Sequence, residues 1–593
     1  MLDRTLEERP ARAGGLVTPL AEAIRTHVAP GLHLHFAATP SRSNAAIREV
    51  ARAFIGTRPR FCLSTTGFHS MAHLLPMLGL ADRLIACFYG DHYPAPRPNP
   101  LYDRLAAAGT ALEHWSLWSM VASFRAGAEG DAWALNRSLR GTTIATELAA
   151  RGAYRELAGP DVPAPPAGEP GAPPPGLALC AALRPDVTFV HAACADEQGH
   201  VVMSGPRSEG LWSALAARRG VIVTVERIVS SAVTRAYPDA IALPPHRILA
   251  VCEEPFGAHP QPFHCAPELA IPTYRDDFEH YERWRTLTSD IAAFDAFADR
   301  VLHAPDGRAG YRGYVGASRI GQLRFPQAAP APVTVTASES PPSSPIDQLI
   351  VAGARQLALR ARAIDARVLI AGIGQSFFAS RMAQLQLTAA GFPLRVMVET
   401  GLYDVDCGID GHGYLLAYEN ITRARRLSAV DDILGVLACG TDNRCLAALG
   451  AAQIDRAGNL NTTRLAGKLL VGSGGACDIA ASAQEVVVLL RLGAGRLVEK
   501  VEYLTSPGRG VRSIVTDRCV LTRPTAAGDW TIAQLTDSHP TQAVALEVAA
   551  LARECPWPLA PAEGLGFAAP ITRDEAYLLE ILDPTGKYRH RAG

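Results

Sequence analysis

Short β-branched runs alternate with Ala-, Leu- and Arg-rich stretches of helical length along almost the whole chain. This alternation constrains the fold more than any other feature, because strand–helix–strand units build parallel sheets covered by helices. In the first half the strand candidates are residues 31–36, 187–191 and 221–225, with a helical stretch over 44–54. In the second half they are 367–371, 393–398, 469–472 and 485–490. The expected class is α/β, with two tandem open and largely parallel domains.

Two proline-rich stretches punctuate this pattern. Residues 159–175 (GPDVPAPPAGEPGAPPP) have the composition of an exposed extended loop. Residues 326–345 have Pro, Ser, Ala and Thr and almost no large apolar side chains, which suits a linker between domains. The expected organisation is 1–325, a linker over 326–345, and 346–593.

Composition then removes several chemistries. Of 57 basic residues only Lys468, Lys500 and Lys587 are lysine. Neither Gly-Lys pair is followed by Ser or Thr, so there is no phosphate-binding P-loop. The first 467 residues hold no lysine for a kinase-type strand or a Schiff base. A net charge of -1 gives no general attraction to nucleic acid or to an anionic membrane. No apolar run reaches the ~18 residues that span a bilayer, and no secretory signal pattern opens the chain. The 12 cysteines are scattered with no C-x-x-C pair, as in a reduced cytoplasmic protein.

Three segments could carry chemistry. Gly372-Ile373-Gly374 follows an apolar strand and precedes a helical stretch, so its N–H groups could cradle an anion. A tight strand-to-helix turn would use the same glycines for backbone freedom alone. Glu399-Thr400-Gly401 ends the next strand, at the sheet edge where ligands bind in α/β folds. A carboxylate there can act as nucleophile or base, or only as a cap or surface charge. Glu399 lies too far from Gly372, and the third glycine is missing, for a dinucleotide-binding fingerprint. The third segment, Gly472-Ser473-Gly474-Gly475-Ala476-Cys477-Asp478, packs three glycines into four residues before a helix. Such a loop can aim successive N–H groups at one oxygen and lets a ligand approach closely.

The last segment has informative flanks. Upstream is Gln453-Ile454-Asp455-Arg456-Ala457-Gly458-Asn459-Leu460-Asn461, and downstream is Val498-Glu499-Lys500-Val501-Glu502 leading to Thr505-Ser506-Pro507-Gly508. In order and spacing this run resembles the B-type subunit of family I CoA-transferases, the glutaconate and 3-oxoadipate type. Glu399-Thr400-Gly401 looks like the family's Glu-Ser-Gly motif, and Gly372-Ile373-Gly374 like its glycine-rich CoA loop. The first half is similar to the A-type subunit over residues 182–191, 195–200, 225–229 and 255–260.

The resemblance implies two fused subunits of the CoA-transferase (NagB/RpiA-like) fold. It implies CoA transfer from an acyl-CoA to a free carboxylic acid, with Glu399 as nucleophile. Gly372, Gly374, Gly474, Gly475 and Ala476 would serve the oxyanion and CoA, and Arg42, Gln453, Asn461 and Cys477 would be candidate substrate or loop contacts. No tightly bound cofactor or metal is expected, only coenzyme A as substrate, and a homodimer is the expected assembly. Hydrolysis or ring opening of a CoA thioester on the same fold, or acyl-CoA binding without catalysis, are the alternatives. The family's Gly-Gly-Phe-like turn is replaced here by Ala37-Ala38-Thr39-Pro40, which alters the acyl or acceptor pocket. His33 and His35 share one strand face but lack a third metal ligand, and His412 with Asp404, Asp406 and Asp410 reads as a solvated loop.

Overall fold

The computed structural model describes residues 15–38, 40–157, 177–324, 344–406, 411–440, 442–536 and 544–589. The proline-rich stretch 159–175 and nearly all of the expected linker lie outside them, as does Asp410.

The first half is built on seven parallel strands: β1 (His33–Phe36), β2 (Phe61–Ser64), β3 (Ala81–Ala86), β4 (Ala111–His114), β5 (Val187–Ala195), β6 (Gly220–Ile228) and β7 (Ile248–Glu253). Their order is β7-β6-β5-β1-β2-β3-β4, with the short strand Val201–Val202 antiparallel beside β5. β5 is buried at all nine positions, which is why its sequence, VTFVHAACA, shows no alternation of apolar and exposed polar residues. The expected helix 44–54 forms as α1 (Asn44–Phe54). Helices Phe278–Leu287 and Ile291–Val301 add Trp284 and Phe297 to the same core.

The main sheet of the second half has ten strands among the described residues: β8 (Val368–Ala371), β9 (Arg395–Val398), β10 (Leu402–Val405), β11 (Ala424–Leu427), β12 (Cys445–Gly450), β13 (Glu485–Leu489), β14 (Val511–Val515), β15 (Cys519–Thr522), β16 (Thr531–Leu535) and β17 (Ala560–Pro561). They run in the order β11-β10-β9-β8-β12-β13-β14-β15-β16-β17. The five central strands, β9 to β14 in space, are parallel, and antiparallel hairpins extend both sides. The class is α/β with two largely parallel sheets, as the local pattern implies.

Two expectations change. Residues 469–472 are not a sheet strand. Among the described residues Lys468–Leu469 pairs only with Arg464–Leu465, and Gly472 bridges Phe88 of the first half. An apolar run here is buried by contact between the halves and not by a ladder. The linker also ends earlier than 345: Ser344 already caps a helix over Pro345–Ala363, its hydroxyl accepting from the Asp347 N–H, with proline in the first turn.

Candidate active site at the junction of the two halves

Glu399 leaves the carboxyl end of β9 in a tight hairpin to β10. The Gly401 N–H donates to the Val398 carbonyl at 3.0 Å, and Met397 and Val398 pair with Tyr403 and Leu402. Gly401 has φ +119°, and a Cβ there would stand 2.6 Å from the Ser428 carbonyl oxygen, so only glycine fits. β8 is the neighbouring strand, in register Ile370↔Met397, so the Gly372–Gly374 turn leaves the same sheet edge. Gly374 is the N-cap of the helix Gln375–Ala389 with φ +98°, and the Ser376 hydroxyl donates back to the Gly372 carbonyl at 3.0 Å.

The glycine loop meets Glu399 directly. A Cβ on Gly475 would overlap the Glu399 carboxylate, and one on Gly474 would lie 3.8 Å from it. The Gly475 N–H donates to that carboxylate. The Gly474 N–H is already given to the Cys87 carbonyl at 3.0 Å, and the Ala476 N–H to the Ser473 carbonyl at 2.9 Å. Of these three N–H groups, only that of Gly475 faces the carboxylate.

The first half holds this loop in place. The Leu117 N–H donates to the Gly474 carbonyl at 2.9 Å, and the Tyr89 N–H to the Val471 carbonyl at 2.7 Å. The Ser473 hydroxyl donates to the Trp115 carbonyl at 2.9 Å. One turn further, in the helix α2 (Ala476–Ser482), Asp478 is fully buried. It accepts from the Ser116 hydroxyl at 2.7 Å and the Trp118 N–H at 2.9 Å, both across the junction, and from the Ser138 hydroxyl.

Two carboxyl groups thus sit near each other in a water-poor place. Burial, and then the charge of Asp478, push Glu399 up to about 7, with the Gly475 N–H opposing. Burial raises Asp478 to about 6 against the pull of its hydroxyl and N–H donors. Cys87 lies within reach of both charges, and its thiol donates to the Thr66 carbonyl at 2.9 Å.

The other expected contacts bind protein. Arg42 is buried and donates to the carbonyls of Gly67 (3.0 Å) and His69 (2.9 Å) and to Asn44 (3.1 Å). Gln453 and Asn461 bond to each other at 2.9 Å and brace the turn at 463–464, where the Thr463 and Arg464 N–H groups donate to Asn461. The Cys477 thiol points into the core towards the Ser138 carbonyl. At the altered turn of the first half, the Ala37 N–H goes to Phe189 and the Ala38 N–H to the buried Glu209. His33 and His35 both bond the Ser64 hydroxyl. His412 stacks on Phe278 and accepts from the Tyr414 N–H, and burial lowers it to about 4. Lys468 and Lys500 are exposed. Sequence reasoning passed over Asp478, which stands inside the glycine motif, and Glu209, for which only its Ser208-Glu209-Gly210 setting is a local signal.

Residues 17–254 match the family model described as Coenzyme A transferase. The chain is 36% identical over 126 residues to the A component of the 3-oxoadipate CoA-transferase of Pseudomonas knackmussii, covering 21% of this chain and 41% of that protein. The match to the coenzyme A transferase family thus lies within the first half of the chain. The chain is also 34% identical over 112 residues to the B component of the 3-oxoadipate CoA-transferase from the same organism, covering 16% of this chain and 42% of that one. The chain therefore spans less than half the length of these curated relatives. A crystal structure of an acyl-CoA transferase from E. coli O157:H7, solved as a thioester complex with CoA, shares the fold of this chain. Its TM-score is 0.60 at 14% identity, with 95% of this chain and 97% of that chain covered.

Two measurements probe this geometry. Gly475→Ala drives a methyl into the Glu399 carboxylate and should lower the unfolding free energy by ~1–3 kcal/mol, read by urea titration. Glu399 also couples stability to pH. Its folded value of about 7 lies above the ordinary 4.5, so the folded state binds the proton more tightly. Its contribution is complete below about 4.5 and is lost as pH rises through 7. Melting curves of Glu399→Gln and the parent should therefore diverge across that window, the variant gaining as pH rises.

Proposed function

We propose that this protein transfers CoA from an acyl-CoA to a free carboxylic acid, with Glu399 as the nucleophile. The observation that carries the reading is the Glu399 carboxylate held against the Gly475 N–H at the carboxyl edge of a parallel sheet. A Glu399 oxygen attacks the thioester carbonyl carbon, and the C–S bond breaks to release CoA thiolate and leave a mixed anhydride. The thiolate then attacks the Glu399 carbonyl carbon, releasing the first acid and leaving a glutamyl-CoA thioester. An incoming carboxylate reverses both steps and departs as the new acyl-CoA. Atoms and electrons balance without a redox partner or metal. Each attack places negative charge on an oxygen, and a fixed N–H in a desolvated site stabilises it.

A carboxyl with a value near 7 matches this task. It is substantially ionised at neutral pH and more basic than an ordinary glutamate, so it is the stronger nucleophile. Binding energy from the remote part of CoA then supports formation of the strained anhydride.

The two halves, 1–325 and 346–593, would act as A-like and B-like domains of one active site. This is supported by the Gly475 loop being anchored on Cys87 and Leu117. Reduced cysteines, free among the described residues, fit a cytoplasmic protein. A homodimer rests on the family resemblance.

Incubation with an acyl-CoA and no acceptor, followed by borohydride reduction and peptide mass analysis, should show Glu399 reduced to the alcohol. An unmodified Glu399 peptide, with turnover confirmed in parallel, would overturn the mechanism. Release of free acid and CoA without acceptor would point to hydrolysis instead. The acidic limb of kcat/KM should fall near pH 7, following Glu399. Asp478→Asn removes the neighbouring charge and should shift that limb to lower pH.

A further inference from the structure

A cavity of about 350 Å³ lies at the far end of α2 from Glu399. One wall comes from the first half, through Trp118 and the strand Trp133–Asn136 with Arg137 and Ser138 beyond it. The other comes from the second half, through Gly435, Cys439 and Ser482. Ser482 ends α2, whereas Gly475 precedes its first turn, so about 10 Å of helix separates the cavity from Glu399.

The polar groups of the cavity are unequal in a way that selects a ligand. Asn136 is only 2% exposed, and its amide orientation is set, because Oδ1 accepts from the Leu139 N–H at 3.1 Å. Its Nδ2 has no hydrogen-bond partner among the described residues. A buried donor left unpaired costs free energy that a ligand acceptor would recover. Beside it, Arg137 is exposed and has no ion-pair partner among the described residues. Among the described residues Arg137 is the only charged side chain that lines the cavity. Apolar surface completes it: the Trp118 ring packs on Gly435, and Leu135 is 62% exposed. Volume and lining match a small-molecule site more than a solvated crevice.

We propose that this cavity binds a small carboxylic acid with an apolar tail, at a site separate from Glu399. The carboxylate accepts from Asn136 Nδ2 and pairs with the Arg137 guanidinium, a charge-assisted contact. The tail lies along Trp118. Ser138 and the Trp118 backbone also donate to Asp478, so the pocket wall and the carboxyl pair share two residues.

Sodium hexanoate is the probe, titrated into the full chain without CoA and followed by tryptophan fluorescence. Trp118→Phe assigns the signal. The expected result is a saturable response that Arg137→Leu weakens about tenfold or more, the loss of one charge-assisted contact. Arg137→Lys should retain part of it, neutral hexanamide should give little, and Glu399→Gln should leave it unchanged. Arg137 is exposed, so its variants should keep the parent's far-UV dichroism and melting temperature. No saturable response in the parent, or equal affinity in Arg137→Leu, would overturn the site. So would a response abolished by Glu399→Gln, which would place the acid in the catalytic cleft.

Discussion

The hydrogen bonds between the Gly472–Gly475 loop and the first half are the constraint on which the site depends. The Gly474 N–H goes to Cys87 and its carbonyl receives the Leu117 N–H, so both polar groups of that residue are satisfied across the junction. Neither partner belongs to the sheet that carries Glu399. The loop is therefore positioned by one half and the carboxylate by the other. A Cβ at Gly472 would strike the Cys87 carbonyl, and one at Gly475 the Glu399 carboxylate. The glycines answer two close approaches from opposite sides, which a turn alone would not require.

That placement has an electrostatic consequence. Glu399 and Asp478 are drawn out of water together, and both are raised. Raised carboxyls weaken the folded state as they ionise, so at neutral pH the site works against stability. The compensation is local. Asp478 gathers donors from Ser116, Trp118 and Ser138, while Glu399 has the Gly475 N–H. Asp478 is the better-satisfied carboxyl of the two, and Glu399 the one with fewer protein donors.

The fold was legible wherever burial on both faces imposes a mostly apolar stretch without alternation, as in β5, β8 and β13. It was misread at 469–472, because an apolar run buried against another half looks the same as a strand. Glu399 and the glycine loop were legible as motifs. Their contact was not, since 76 positions of sequence and a half-to-half junction lie between them. The roles of Gln453, Asn461 and Cys477 also required geometry. Each stands in a motif that touches the site, yet each side chain turns inward to brace the loop or fill the core.

The changed turn of the first half follows from the same junction. Ser428 and Val430 bridge two acidic turns: the Ser428 N–H donates to the Gly401 carbonyl, its carbonyl accepts from the Arg207 N–H, and the Val430 N–H donates to Ser208. Glu209 is thus tied to the Glu399 turn through three residues. One oxygen of its carboxylate, Oε1, accepts from the Ala38 N–H and lies 3.5 Å from His35. Here the Ala38 N–H is taken by a protein carboxylate, which makes the turn a brace. Glu399 and the Gly475 N–H against it thus both come from the second half, and the first half, through Cys87, Trp115 and Leu117, supplies the contacts that hold the glycine loop in place.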